Sequence, residues 1–433
     1  MSKARKIGVI GAGWAGCSAA VELAQRGHEV HWFEASKTLG GRARQVKFHG
    51  LKLDNGQHIM LGAYQATLKL LTTLGQHDAL LRLPLQMCYP AGTGMQLIAP
   101  KLPAPLHMLI GLLRASGLHR QDKMALVRFT STARWMDWQL NDDCTVAELL
   151  QRFDQTPNLI RLMWQPLCVA ALNTPVERAS AQVFLNVLKD SLGSRRSASD
   201  MLIPRTDLST LLPQPAADYV QAHGGKVYLG SPIQSIQANQ AQWRLSGTQA
   251  QDDFDAVVLA TPAETASQLL TPLGMGGHIP EFEYEPITTC YLQYAAQTRL
   301  ERPFLALIER PEHQAWGQFV FDRGQLDGNL GLFAVVVSAS QQAIEQGHAE
   351  LAASCAKQLA LDLHQPALAA PIWSQVITEK RATFSCTANL QRPSNLLPVP
   401  GLVLAGDYTA SRYPATLEAA VQSGVLAARL VQV

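Results

Sequence analysis

The sequence predicts an α/β protein: a Rossmann-like domain, discontinuous along the chain, that carries an inserted α+β domain. Three observations carry this expectation. Residues 7–10 form an all-apolar strand that enters a glycine turn and then a helical run. Residues 402–405 repeat that pattern at the far end of the chain. Finally, 433 residues are too many for one ordinary core.

Composition narrows the class. Hydrophobic residues make up 47% and charged residues 16%, with a net charge of +2, so a basic face for nucleic acid is not expected. The seven cysteines, at 17, 88, 144, 168, 290, 355 and 386, form no CxxC pair. A dispersed, odd set reads as buried thiols in a reducing compartment, which points to the cytoplasm. The opening MSKARKIGVIGAG reaches its glycine turn too early for a signal peptide. No apolar run approaches the roughly 18 residues that a spanning helix needs. The nearest is PAPLHMLIGLLRASGLHR at 103–120, whose apolar part, 106–113, predicts an ordinary buried helix. Peripheral contact with the inner face of a membrane is the alternative. There is no zinc-ligand spacing, Walker loop or GxSxG elbow, and no metal is expected.

The first unit, KIGVIGAGWAGCSAAVELAQRGHEVHWFEAS, reads as strand, turn, helix, strand. Gly11 makes the tight turn, Gly13 admits a pyrophosphate to the backbone, and Gly16 lets the helix pack closely on the strand. Trp14 and Ala15 open the helix whose N-terminus would meet that pyrophosphate. The second strand ends at Glu34, where a carboxylate can accept both ribose hydroxyls of an adenosine diphosphate. LGGRAR (39–44) follows at once: Gly41 allows close approach, and Arg42 offers a planar fork to a phosphate.

From this point the chain resembles the FAD-dependent amine oxidase and carotenoid desaturase superfamily. Its C-terminal run, Gly406-Asp407, a loop, then Pro414, Glu418, Ala420, Val421, Ser423 and Gly424, follows the superfamily pattern, with Ala419 where glycine is usual. DNGQHIMLGAY (54–64) looks like the segment of plant-type desaturases that reads acid-x-G-x-H, apolar residues, then G-A-Y. Together with GAGWAGCSAA, MWQPLCVAALNTP (163–175), EKRATF (379–384) and YPATLEAA, it is still more similar to the bacterial hydroxysqualene dehydroxylases, first described as squalene-associated FAD-dependent desaturases.

The resemblance implies FAD as cofactor. Gly56, Gln57 and His58 would run along the flavin, the backbone of Ile233 would hold the adenine, and Asp407 would accept a ribityl hydroxyl. The backbone at Thr416 and Leu417, opening a helix to about residue 431, would face the flavin's pyrimidine oxygen. Read alone, Asp54-Asn55-Gly56 is also good turn chemistry, and Thr416 an ordinary N-cap. The implied organisation is an FAD-binding domain of 1–85, 206–285 and 385–433, with a substrate domain from 86–205 and 286–384. The implied substrate is an isoprenoid, hydroxysqualene, reduced to squalene in hopanoid or other triterpenoid synthesis. A carotenoid desaturase and an amine oxidase stay open as alternatives. Loss of water needs an acid, for which His58 and Tyr413 are the candidates, although His58 reads equally well as a structural hydrogen-bonder. Arg205 and Asp207 could line the cavity or form an exposed pair. The electron donor and the direction of hydride flow stay open.

Overall fold

The computed structural model describes residues 4–193, 195–248 and 251–431; residues 1–3 of the opening run lie outside them. A five-stranded parallel sheet organises the fold, in the order Lys226–Tyr228, Glu29–Phe33, Lys6–Ile10, Ala256–Leu259, Leu402–Leu404. Its strands come from three separate stretches of the chain. The central strands are apolar and almost wholly buried because the sheet is covered on both faces. On one face the helix Trp14–Gln25 packs against Leu417–Leu430 and Pro213–Ala222. A Cβ at Gly424 would strike the carbonyl of Ala15 and the hydroxyl of Ser18, so that glycine sets the closest helix approach. The Ser18 hydroxyl is within 3.1 Å of the Val421 carbonyl oxygen. On the other face lies an antiparallel meander, Ile233–Asn239, Gln242–Gly247 and Gln251–Phe254. Gly8 makes room for it: a Cβ there would sit 2.8 Å from Leu245.

A second, antiparallel sheet runs Phe304–Ala306, Phe319–Asp322, Leu332–Ser338, Tyr284–Gln293, Trp373–Phe384. Leu332–Ser338 is buried along its whole length, and the helix His348–Asp362 packs on the sheet, mainly beside the strands Tyr284–Gln293 and Trp373–Phe384. A third, small sheet pairs Met60–Leu61 and Leu80–Leu83 with Met201–Pro204. In it the DNGQH segment leaves its turn as a strand, and the helix begins only at Gln65–Thr73. All seven cysteines are free, and six are buried.

Two readings are corrected by burial. The 106–113 stretch is helical, Leu106–Arg114, but it is not an ordinary buried helix: only His107, Gly111 and Leu112 are buried, and Leu106, Leu109 and Leu113 are exposed. Arg205 and Asp207 are not an exposed pair either. Arg205 is exposed, whereas Asp207 is buried and caps Leu208–Leu211, accepting from the Thr210 N–H at 2.9 Å.

Candidate active site

The glycine turn is built as its three positions require. Gly11 has φ of +101°, and a Cβ there would overlap the Ala260 carbonyl; a Cβ at Gly16 would overlap the carbonyl of Gly11. Gly13 is different. A Cβ on it meets no atom of the described residues within 4 Å. The helix that starts beside it has neither a capping side chain nor an acid in its first turn, so its leading N–H donors are left for an anion. The LGGR turn closes the other side, with Gly41 in the left-handed region, its Cβ position 3.0 Å from the Gly13 Cα. Glu34 accepts from the N–H groups of Ala12 and Ser36, both at 2.7 Å, which fixes its carboxylate at the strand end. Around this cradle the buried hydroxyls of Ser231 and Thr261 have no hydrogen-bond partner among the described residues. An open face at Gly13, uncapped helix donors and orphaned hydroxyls fit a bound dinucleotide. Ile233 is buried and begins the meander strand two residues after Ser231.

Four motifs far apart in sequence converge beside the cradle. Arg42 donates through Nη2 to both oxygens of Asp407 at 2.6 Å, and through Nη1 to the Ala382 carbonyl at 2.7 Å. Asn55 joins the same group, donating to the Arg42 carbonyl at 2.9 Å and to Glu379 at 3.0 Å. LGGR, DNGQH, EKRATF and the Gly406-Asp407 turn are thus one hydrogen-bonded unit. Ser423 explains its own place in the C-terminal pattern, because its hydroxyl accepts from the Gly406 N–H at 2.9 Å. Arg392, which no sequence signal singled out, fixes the loop after Asp407 by donating to the carbonyls of Asp407 and Tyr413 at 2.7 and 2.6 Å.

The DNGQH segment is anchored from the second sheet by Arg323, also missed from sequence. Arg323 is almost fully buried; its Nη1 donates to Gln57 at 2.5 Å and to Asp54 at 3.3 Å, and its Nη2 pairs with Asp327. Asp54 also accepts from the Leu208 N–H at 2.8 Å, and its backbone brackets the Tyr291 hydroxyl. One guanidinium therefore serves two carboxylates. Burial outweighs its attraction at Asp54, the more distant partner, and pushes that carboxyl up to about 6. At Arg323 the neighbouring negative groups win over burial and hold the charge more firmly.

His58 Nδ1 lies 2.9 Å from the Gly56 carbonyl, to which only an N–H can donate, so Nε2 is the nitrogen left for other work. Burial lowers the imidazole pKa and outweighs the opposing effect of that hydrogen bond. Tyr413 is placed otherwise: its hydroxyl donates to Asp190, and burial together with that carboxylate pushes the phenol up to about 12. Thr416 is the N-cap of Leu417–Leu430, accepting from the Ala419 N–H at 3.2 Å. Glu418, fully buried, reaches across to cap another helix, Gln65–Thr73, and accepts from the N–H groups of Ala66 and Thr67 at 3.0 and 2.9 Å. The two ends of the chain are locked together there.

A family model for flavin containing amine oxidoreductases matches residues 14–432. The chain belongs to that family. Within it, the chain is 29% identical to a hydroxysqualene dehydroxylase of Rhodopseudomonas palustris, covering 99% of this chain and 98% of the relative. It is 27% identical to one of Zymomonas mobilis over 98% of each. A 15-cis-phytoene desaturase of Glycine max is 25% identical, over 99% of this chain and 80% of the relative. Among solved structures, a cyclohexylamine oxidase from Brevibacterium oxydans shares the fold with a TM-score of 0.69 at 17% identity, covering 99% of both chains. An oxidoreductase from Methanosarcina mazei does so with 0.72 at 16%, covering 97% and 99%. The protein is an FAD-dependent oxidoreductase of this family, consistent with the cradle described above. Among the described residues there is no cluster that could hold a metal ion, and no helix long and apolar enough to cross a membrane.

Proposed function

We propose that this protein reduces hydroxysqualene to squalene, a step toward hopanoids or other triterpenoids. The full-length likeness to hydroxysqualene dehydroxylases carries this reading. Gly11, Gly13, Trp14, Ala15, Gly16, Glu34, Gly41 and Arg42 would hold the adenosine diphosphate part of FAD, with Ile233 at the adenine. Gly56, Gln57, Asp407, Thr416 and Leu417 would hold the flavin and its ribityl chain. Reduced FAD, when bound, supplies the hydride and its two electrons.

The chain's own part is to manage the leaving oxygen. The C–O bond breaks, the hydroxyl departs with one added proton as water, and a new C–H bond forms in its place. Hydroxide leaves poorly, so that proton must come from an acid held nearby. We assign this role to His58. With Nδ1–H held by the Gly56 carbonyl, protonated His58 presents its transferable proton at Nε2, and a pKa lowered by burial makes it a stronger acid. Tyr413 is the weaker candidate, since its proton is already engaged by Asp190. Leu53 and Met60, fully buried on either side, anchor the segment in the apolar core. Seven free thiols, six of them buried, support a reading of the cytoplasm as the setting.

The test is to supply the anaerobically reduced protein with hydroxysqualene, and the oxidised protein with phytoene, and to analyse both by mass spectrometry. Squalene from the first and no desaturated product from the second is the expected result. The reverse pattern would replace this reading with a carotenoid desaturase.

A further inference from the structure

The helix Leu106–Arg114 leads through residues 115–119 into a second helix, Arg120–Trp135. Lys123 ties the second to the end of the first, its ammonium donating to the carbonyls of Leu113 and Ala115 at 2.9 and 2.8 Å. The inner sides of the pair, through Leu112, Ala125, Leu126 and Phe129, belong to the same apolar core as Leu53 and Tyr291.

The outer sides are unusual. Leu106, Leu109 and Leu113 are 47%, 45% and 63% exposed on the first helix, and Met124 and Trp135 are 59% and 87% exposed on the second. Exposed apolar side chains scattered singly need no explanation, but six on two linked helices, counting Val127, do. The charges beside them have one sign. From 98 to 136 the basic residues Lys101, Arg114, Arg120, Arg128 and Arg134 are all exposed. The one acid in that stretch, Asp122, is buried and bonded to Asn158 and to the His119 N–H, both at 2.8 Å. The next acid, Asp137, is engaged by Lys189 at 2.8 Å.

We propose that these two helices form a docking platform for an anionic lipid bilayer. The leucines, Met124 and Trp135 enter the headgroup boundary, and the arginines lie against the lipid phosphates. The charge pattern selects this occupant: a second copy of the chain would set basic surface against basic surface, and a neutral apolar partner would have no use for the arginines. The platform goes beyond the proposed reaction and stands whether or not hydroxysqualene is the substrate.

The experiment is flotation of the FAD-loaded protein with vesicles of phosphatidylcholine alone or mixed with one-third phosphatidylglycerol. We expect the protein to float with the anionic vesicles at about 50 mM salt and to be largely released at about 500 mM. Leu106→Gln/Leu109→Gln/Leu113→Gln should lower binding at least about tenfold on both vesicle types. Arg120→Gln/Arg128→Gln should lower it about tenfold or more on the anionic vesicles alone. Unchanged flavin absorbance and far-UV circular dichroism identify variants that still fold. Failure of the native holoprotein to float, or flotation indifferent to both sets of substitutions, overturns the proposal. So does a dimer in solution that the leucine substitutions disperse while no vesicle is bound.

Discussion

Replacing Arg323 with Met tests how the DNGQH segment is held. The substitution leaves Asp54 buried beside Gln57 and Asp327 with no cation. Asp54 already sits at about 6, against 3.8 for an ordinary aspartate. A folded pKa raised in this way gives stability that is full below the unfolded value and lost as pH rises through about 6. By pH 7.5 that loss is already about 3 kcal/mol, at 1.36 kcal/mol per unit. Without the guanidinium, Asp54 can escape further cost by taking up a proton. That caps its additional penalty at about 2 kcal/mol at pH 7.5 and makes it nearly zero at pH 5. Loss of the hydrogen bonds to Gln57 and Asp327 adds about 2 kcal/mol at either pH. Arg323→Met should therefore destabilise the protein by about 4 kcal/mol at pH 7.5 and about 2 at pH 5. Urea unfolding followed by tryptophan fluorescence at the two pH values measures both. Equal losses at both pH values, or a loss under about 1 kcal/mol at pH 7.5, would refute the reasoning about Asp54.

Three further predictions follow from the same geometry. Gly13→Val should fold with near-native thermal stability but purify without its yellow colour, whereas Gly16→Ala, which drives a methyl into the Gly11 carbonyl, should lower stability whether or not flavin is added. Glu418→Ala removes the cap from Gln65–Thr73 and should cost roughly 2–4 kcal/mol in thermal or urea unfolding, with little effect from Thr416→Ser as a control. If His58 is the acid, the rate of the dehydroxylation step should fall as pH rises through a pKa below 6.5, because the protonated form is then lost. His58→Gln should abolish that slope, and a slope that survives in this variant would move the role to another group.

Local signals made the first unit legible from sequence. An apolar strand, glycines at fixed spacing and a terminal acid are short-range devices; Gly11 and Gly16 make the tight turn and the close packing that their spacing suggested, and Glu34 stands at the strand end beside them. The C-terminal strand and helix were readable for the same reason. Arg323 was not, because it lies in an unremarkable FDRG stretch and acquires its meaning only when the second sheet brings it to Asp54 and Gln57. Glu418 lies in the first turn of its own helix, yet its carboxylate serves the helix Gln65–Thr73 from the N-terminal part of the chain. The 106–113 stretch misled for a related reason. Its apolar residues occupy more than one side of the helix, and sequence alone does not say which side finds a partner. Arg42 and Asp407 were read as separate cofactor contacts, and the structure brings the two together.

A single anaerobic turnover decides whether reduced flavin in this protein removes the hydroxyl of hydroxysqualene. The photoreduced FAD-loaded protein is mixed with hydroxysqualene, and flavin reoxidation and squalene are measured in the same sample. One squalene should form for each flavin reoxidised, both at the same rate. Flavin that stays reduced with substrate present, or that reoxidises without squalene, would contradict it.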